Sequence, residues 1–147
     1  YEKYIKGLIE SKGARQISVI GSSIGGTISL HFGSKVPIYR SVALSPYTQL
    51  GAKDVPDRLQ KTFGDIFTKA PDLLTELGEN RPETRIYYGD LFERDREDAL
   101  RLSDLSKVEF MPIEGAKDHN IGGHLALGGM YSEMFSWLLG KSKDASV

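Results

Sequence analysis

The stretch VIGSSIGGTISL, residues 19–30, joins a β-branched run to an apolar segment through a corner of glycine and serine. Within it, residues 21–25 fit the pattern G-x-S-x-G where a predicted strand ends and a helix begins. A serine on such a turn has a strained backbone and a raised hydroxyl, and we expect Gly21 and Gly25 to leave it room. The pattern predicts Ser23 as a nucleophile and the Ile24 backbone amide as an oxyanion donor at the helix N-terminus.

Two other sites are built on glycine-rich corners. A dinucleotide-binding corner favours a glycine at position 27, which is Thr27, and an acidic residue about 20 positions further on. Residues 42–45 of that neighbourhood are VALS and contain no carboxylate. A Walker-type phosphate loop is excluded because no Gly-Lys-Ser or Gly-Lys-Thr follows directly after this corner. The nucleophile is therefore favoured, with a dinucleotide-binding domain as a weaker alternative.

Composition narrows the class of protein. The 147 residues are 39% hydrophobic, enough for one core, so we treat residues 1–147 as a single domain. Lys and Arg (19) balance Asp and Glu (20) without a basic run, which argues against a nucleic-acid partner. With no cysteine, disulfides and thiolate chemistry are excluded. No signal peptide and no apolar run of about 18 residues is present, so we expect a cytoplasmic protein without a membrane partner.

Strand-like and helix-like segments alternate along the chain, which predicts an α/β fold with three layers and a parallel sheet of about four strands. The predicted strands are residues 16–20, 39–45, 84–88 and 107–111. The predicted helices are residues 1–12, 24–32 (stopping at Gly33), 94–105, and a last one that begins near Leu127 and ends at Gly140. Residues 46–80 predict a lid-like insertion with helices at 56–67 and 71–77, above the carboxyl ends of the strands.

A serine nucleophile needs a general base, and the chain has three histidines. His31 is eight residues into the helix after the corner, roughly 12 Å from Ser23 along the axis, so we expect a structural role. His119 lies in the loop after the fourth predicted strand, from where its side chain can reach the corner. His119 is the favoured base, and His124 is the alternative.

The acid that orients the histidine is expected in the loop after the third predicted strand. The carboxylates available there are Asp90, Glu93, Asp95 and Asp98. Asp95 is favoured because it falls between the strand and the next helix, and helix capping is its competing structural role. Asp90 is the alternative acid.

Serine, acid and histidine in this order, after the first, third and fourth predicted strands, resemble an α/β-hydrolase, over nearly the whole chain but only strands five to eight of that fold. The resemblance implies Ser23 as nucleophile, the acid after the third strand and His119 as base. It implies a serine esterase or thioesterase acting on a small acyl ester, with no metal and no organic cofactor. GSSIGG, VALSPYT, YYGDLFERDREDALRL and DHN are also similar to hydrolase-like modules of bacterial polysaccharide-biosynthesis and tetratricopeptide proteins.

The sequence departs from the family pattern in two ways. Many members carry the acid three residues after the glycine that ends strand seven; that glycine is Gly89, and the position holds Phe92. The first four strands, with the second oxyanion donor, are also absent, so we expect activity only where that half is supplied. These departures leave a second hypothesis, a catalytically degenerate binding or assembly module.

The missing half also predicts an exposed sheet edge. Strand 16–20 would lie at that edge with unpaired backbone groups. An upstream segment, a partner chain or self-pairing would cover it. We expect an upstream segment, with self-association of the 147-residue chain as the consequence of its absence.

Overall fold

Four parallel strands form one sheet in the computed structural model, which describes residues 2–48, 61, 77 and 81–141. The strands lie in the sheet in chain order and are β1 (Ser18–Ser22), β2 (Arg40–Leu44), β3 (Glu83–Gly89) and β4 (Val108–Ile113). All three pairings are parallel. The carboxyl ends of the strands therefore lie along one edge, and the loops that leave them are neighbours.

Helices cover both faces of the sheet. The described helices are α1 (Glu2–Lys12), α2 (Ile24–Lys35), α3 (Glu93–Leu100), α4 (Ile121–Leu127) and α5 (Tyr131–Leu138), and those that pack on the sheet are α2 to α5. One core packs α2 and α3 against the sheet, and its buried members include Leu30, Ala43, Ile86, Ala99 and Leu102. The other packs α4 and α5 on the opposite face, with Val42, Tyr87, Ile121, Leu125 and Met134. Neighbouring residues of β2 and β3 thus serve opposite cores, and the predicted three-layer α/β architecture is confirmed.

The second core contains a tyrosine that belongs to the central strand β3. Tyr87 is almost fully buried. Burial raises the pKa of its phenol above the ordinary value, since the charged form loses its hydration. Burial therefore favours the uncharged form of this one phenol.

Several predicted boundaries are wrong. β1 begins and ends two residues later than predicted, because Gly21 and Ser22 pair with β2 and the turn starts only at Ser23. The second helix continues past Gly33 to Lys35, since Gly33 is placed for close packing: a Cβ there would lie 3.1 Å from Pro82. The helix ends instead where Val36 becomes extended ahead of the next proline.

The last predicted helix is two helices. Residues 128–130 separate α4 from α5, and Gly129 has a φ of 67° that no continuous helix accepts. Leu127 is 90% exposed and does not share the apolar face of α5. The helix predicted at 94–105 ends at Leu100 and continues as turns with bonds of the i→i+3 type, although Leu102 still packs in the core.

The predicted lid, residues 46–80, lies almost entirely outside the described residues and stays a prediction. Of the helices in the described part of the chain, none has the length and apolar character needed to span a bilayer.

Candidate active site

Ser23 follows directly on β1 and occupies the predicted strained turn. Its φ is 55°, in the left-handed region, and its N–H donates to Leu44 O at 2.8 Å, which extends the β1–β2 ladder by one bond. The turn needs a glycine at Gly21, where a Cβ would lie 1.9 Å from Gly25 O. It does not need one at Gly25, where an added Cβ meets no described atom within 4 Å. The expected steric role of Gly25 is therefore wrong within the described part of the chain.

The hydroxyl of Ser23 is not used to cap α2. It lies 2.9 Å from His119 Nε2 instead. The Ile24 amide is the first of α2, and the first N–H groups of a helix have no intrahelical acceptor. A partial positive charge thus lies beside the hydroxyl, where an oxyanion would form on acyl transfer.

His119 is held by a short polar loop between β4 and α4. Asp118 Oδ1 accepts the Asn120 N–H at 2.8 Å, and Asn120 Oδ1 caps α4 through the Gly123 N–H at 3.1 Å. Both neighbours of His119 are thereby fixed, so its ring enters the carboxyl edge of the sheet. The side chain remains 30% exposed.

Asp95 lies in the first turn of α3 and completes a hydrogen-bonded chain. Its Oδ1 is 2.7 Å from His119 Nδ1, and the side chain is only 2% exposed. Because a carboxylate only accepts, Nδ1 carries the proton and Nε2 is left to accept from the Ser23 hydroxyl. Asp95 does not cap the helix, since the N-cap is Phe92 and it makes no side-chain cap bond. The structural role that competed with the acid is therefore wrong.

Sequence reasoning missed Ser45, which touches Asp95 from the other side. The residue directly follows β2, has a φ of 43° and donates its hydroxyl to Asp95 Oδ2. Both carboxylate oxygens are thus satisfied, which a buried charge requires. The only local signal was a serine before a proline at the end of a buried strand, a pattern shared with many turns.

The segment after Ser45 is tied to the neighbouring helices. The Thr48 N–H donates to Asp98 Oδ1 at 2.9 Å, and Thr27 donates to Tyr47 O at 2.8 Å. The Tyr47 ring lies 5.2 Å from the His119 ring, and the Arg94 guanidinium lies 4.2 Å from the centroid of the Tyr47 ring. An aromatic wall with a cationic group behind it therefore flanks the imidazole.

The other candidates lie elsewhere. His31 packs edge-on against Phe32 at 6.1 Å, and His124 Nε2 lies 3.3 Å from Asp118 Oδ1. Asp90 Oδ1 is buried and makes no hydrogen bond within the described part of the chain. The structure thus brings together Ser23, Asp95 and His119 and places neither alternative, Asp90 or His124, in that chain of bonds. Among the described residues, no group of three His, Cys, Asp or Glu side chains is arranged to hold a metal ion.

No family model matches this sequence, and no curated protein matches it either. The narrower resemblance to polysaccharide-biosynthesis and tetratricopeptide modules therefore stays a prediction.

Solved structures do match the fold. The chain superposes on the monoacylglycerol lipase of Paleococcus ferrophilus over 96% of its own length and 74% of the lipase, with a TM-score of 0.61 and 17% identity. The chain also superposes on a serine hydrolase of Cycloclasticus zankles. The match covers 93% of this chain and 69% of that hydrolase, with a TM-score of 0.57 and 14% identity. A third match is an alpha/beta hydrolase enzyme from the sediment metagenome of the Mar Chica lagoon. It covers 92% of this chain and 68% of that enzyme, with a TM-score of 0.54 and 16% identity.

These likenesses concern the fold, because the identities are low. The four-stranded parallel sheet with flanking helices is matched over 68–74% of each of these neighbours. The chain has an α/β-hydrolase fold.

Proposed function

We propose that this chain is a serine hydrolase of the esterase or thioesterase type that acts on a small acyl ester. The observation that carries the proposal is the position of His119, whose ring nitrogens lie 2.9 Å from Ser23 Oγ and 2.7 Å from Asp95 Oδ1. Nucleophile, base and acid in this hydrogen-bonded order form a catalytic triad. The fold shared with a lipase and a serine hydrolase supports the same class.

In the proposed reaction, Ser23 Oγ attacks the acyl carbonyl carbon while His119 Nε2 takes the hydroxyl proton. The carbonyl electron pair moves to oxygen, and the Ile24 amide stabilises the oxyanion. Collapse of the tetrahedral intermediate expels the alcohol or thiol, which leaves with the proton from Nε2. Water then attacks the acyl-Ser23 ester and passes a proton to His119. The second collapse releases the carboxylic acid and returns the proton to Ser23.

Asp95 keeps the imidazole in the tautomer that the first step needs and stabilises the imidazolium that forms. The exposed fractions suit these roles, since the acid is 2% exposed and the base 30%. The proposal needs neither a metal nor an organic cofactor, because side chains of this chain carry out each proton transfer.

The alternative is a hydrolase-like binding or assembly module without chemistry. It predicts a His119 turned to solvent, more than about 8 Å from Ser23. The separation of 2.9 Å between Nε2 and Oγ supports the enzyme instead. Phe92 stands where many family members carry the acid, but its ring lies 6.3 Å from the His119 ring and leaves room for Asp95 beside Nδ1.

A fluorophosphonate probe tests the proposal, because such probes phosphonylate activated serines. Labelling reports on Ser23, His119 and Asp95, which all lie in this chain, and does not require turnover of an ester. We expect covalent labelling of the folded chain at Ser23, confirmed by peptide mapping, and a loss of at least about 1,000-fold in Ser23→Ala. Ser22→Ala is the matched control, since Ser22 is the exposed neighbouring serine and should leave labelling unchanged. A folded chain that stays unlabelled, or labelling at Ser22, would contradict the proposal.

A further inference from the structure

Ser45 shares two backbone features with Ser23, one strand away. Each serine directly follows a strand, and each has a left-handed backbone, with φ of 55° for Ser23 and 43° for Ser45. The Ser23 N–H donates to Leu44 O at 2.8 Å, and the Ser45 N–H donates to Tyr87 O at the same distance. Serine rarely adopts this backbone, and residues held there cluster at functional sites. These shared features therefore suggest that Ser45 also has a role at the site.

The Ser45 side chain is aimed at the acid. Its hydroxyl donates to Asp95 Oδ2, while His119 Nδ1 holds Oδ1. The carboxylate is thus fixed at both oxygens, and rotation of Asp95 away from the imidazole would break the Ser45 bond. Ser45 itself is only 1% exposed, so water does not compete for that oxygen.

A hydroxyl at a buried position of β2 does not find such a partner automatically. Ser41, on the same strand, is fully buried, and its Oγ makes no hydrogen bond among the described residues. The bond from Ser45 therefore depends on its strained position at the strand end. The strained backbone of Ser45 lowers the stability of the fold, and it places the hydroxyl where it can donate to the Asp95 carboxylate.

We propose that Ser45 is a positioning residue that holds Asp95 against His119, so that Nε2 remains directed at Ser23. The kinetic consequence rests on the proposed function, whereas the effect on the His119 ring does not. Loss of a hydrogen bond to a charged group predicts labelling of Ser23 that is about 10- to 100-fold slower.

Three variants separate the hydroxyl from the backbone. Ser45→Ala removes the hydroxyl and keeps the strain, whereas Ser45→Gly removes the hydroxyl and relieves it. We expect Ser45→Gly to unfold at a higher temperature than Ser45→Ala, with both labelled about equally slowly. Ser41→Ala is the matched control and should be labelled at the wild-type rate. If Ser45→Ala does not fold, Ser45→Gly still decides the question.

A second readout follows the His119 ring by NMR with ¹⁵N-histidine, which yields only three imidazoles. We expect a downfield Nδ1–H resonance from His119 in the wild type and in Ser41→Ala, and its loss or marked shift in Ser45→Gly. A double variant completes the test: in an Asp95→Asn background, Ser45→Gly should slow labelling no further, since Ser45 acts through Asp95.

The outcomes distinguish the two proposals. An unlabelled wild type with an intact Nδ1–H resonance overturns the proposed function and leaves the positioning role in place. A labelled wild type whose rate and resonance are unchanged in Ser45→Gly overturns the positioning role. So does recovery of the wild-type rate in Ser45→Gly but not in Ser45→Ala, because the backbone and not the hydroxyl would then matter.

Discussion

The carboxyl end of the sheet and the outer side of β1 differ in how completely their polar groups find hydrogen-bond partners and their apolar side chains are buried. At the carboxyl end, the buried Asp95 carboxylate has a partner for each oxygen, and both ring nitrogens of His119 are hydrogen-bonded. At the other region, β1 is the edge strand of the four-stranded sheet in the described part of the chain. Ile20 is 41% exposed there, and Tyr4 on the preceding helix α1 is 72% exposed.

The difference shows where the site obtains its order. Ser23 is anchored to β2, and Asp95 and His119 come from loops and helices beyond β3 and β4. None of these contacts uses the outer side of β1. We call Ser23, Ser45, Asp95 and His119 the polar cluster. We therefore expect changes in or directly beside the polar cluster to affect reactivity strongly, and changes at the β1 edge to affect association and leave reactivity unchanged.

The largest effect is expected from Gly21→Ala. Its Cβ would lie 1.9 Å from Gly25 O and 2.7 Å from Gly26 N, and both are backbone atoms that cannot move without opening the turn. We expect destabilisation of about 3 kcal/mol or more in chemical denaturation and loss of Ser23 labelling. Gly25→Ala is the control, with no described atom within 4 Å of the new Cβ. Equal behaviour of the two variants would mean that the turn is built differently.

Asp95→Asn should have the next largest effect. The variant keeps the shape of the side chain but can place an amide N–H against His119 Nδ1, which favours the wrong tautomer. We expect labelling to slow by about 1,000- to 10,000-fold, with the thermal unfolding temperature little changed. Asp90→Asn should alter the rate by less than about twofold, because Asp90 has no bond to the imidazole. A larger loss in Asp90→Asn would transfer the acid role to Asp90.

Much of this polar cluster could be predicted from the sequence because parallel strands deliver their carboxyl ends to one edge. A serine after β1, an acid after β3 and a histidine after β4 are then all delivered to the same edge of the sheet, whatever the details of the loops. This was enough to single out Ser23, Asp95 and His119, which the structure brings within hydrogen-bonding distance.

Ser45 could not be predicted in the same way. Its left-handed backbone and its partner 50 residues away arise from tertiary packing, and neither leaves a periodic signal. The end of a helix was predicted wrongly at a glycine for a related reason. Gly33 was expected to end a helix but serves close packing against Pro82, and only the three-dimensional neighbour distinguishes the two uses.

The smallest effect on reactivity, and the main effect on association, is expected at the β1 edge. A strand edge without lysine or proline is a template for pairing with another chain. We expect the 147-residue chain to self-associate in sedimentation velocity and Ile20→Lys to shift it toward monomer, because a charge on the edge opposes pairing. Ser23 labelling should stay unchanged.

Leu127→Lys is the matched control for the β1 edge, since Leu127 is 90% exposed but lies on α4, away from β1. It should leave the association as it is, because an isolated exposed leucine is an ordinary surface feature whereas an apolar edge strand offers a row of backbone partners. If the wild-type chain is a stable monomer that binds little apolar dye, the edge is covered and the contrast between the two regions fails. If both lysine variants dissolve the association equally, general hydrophobicity and not the β1 edge drives it.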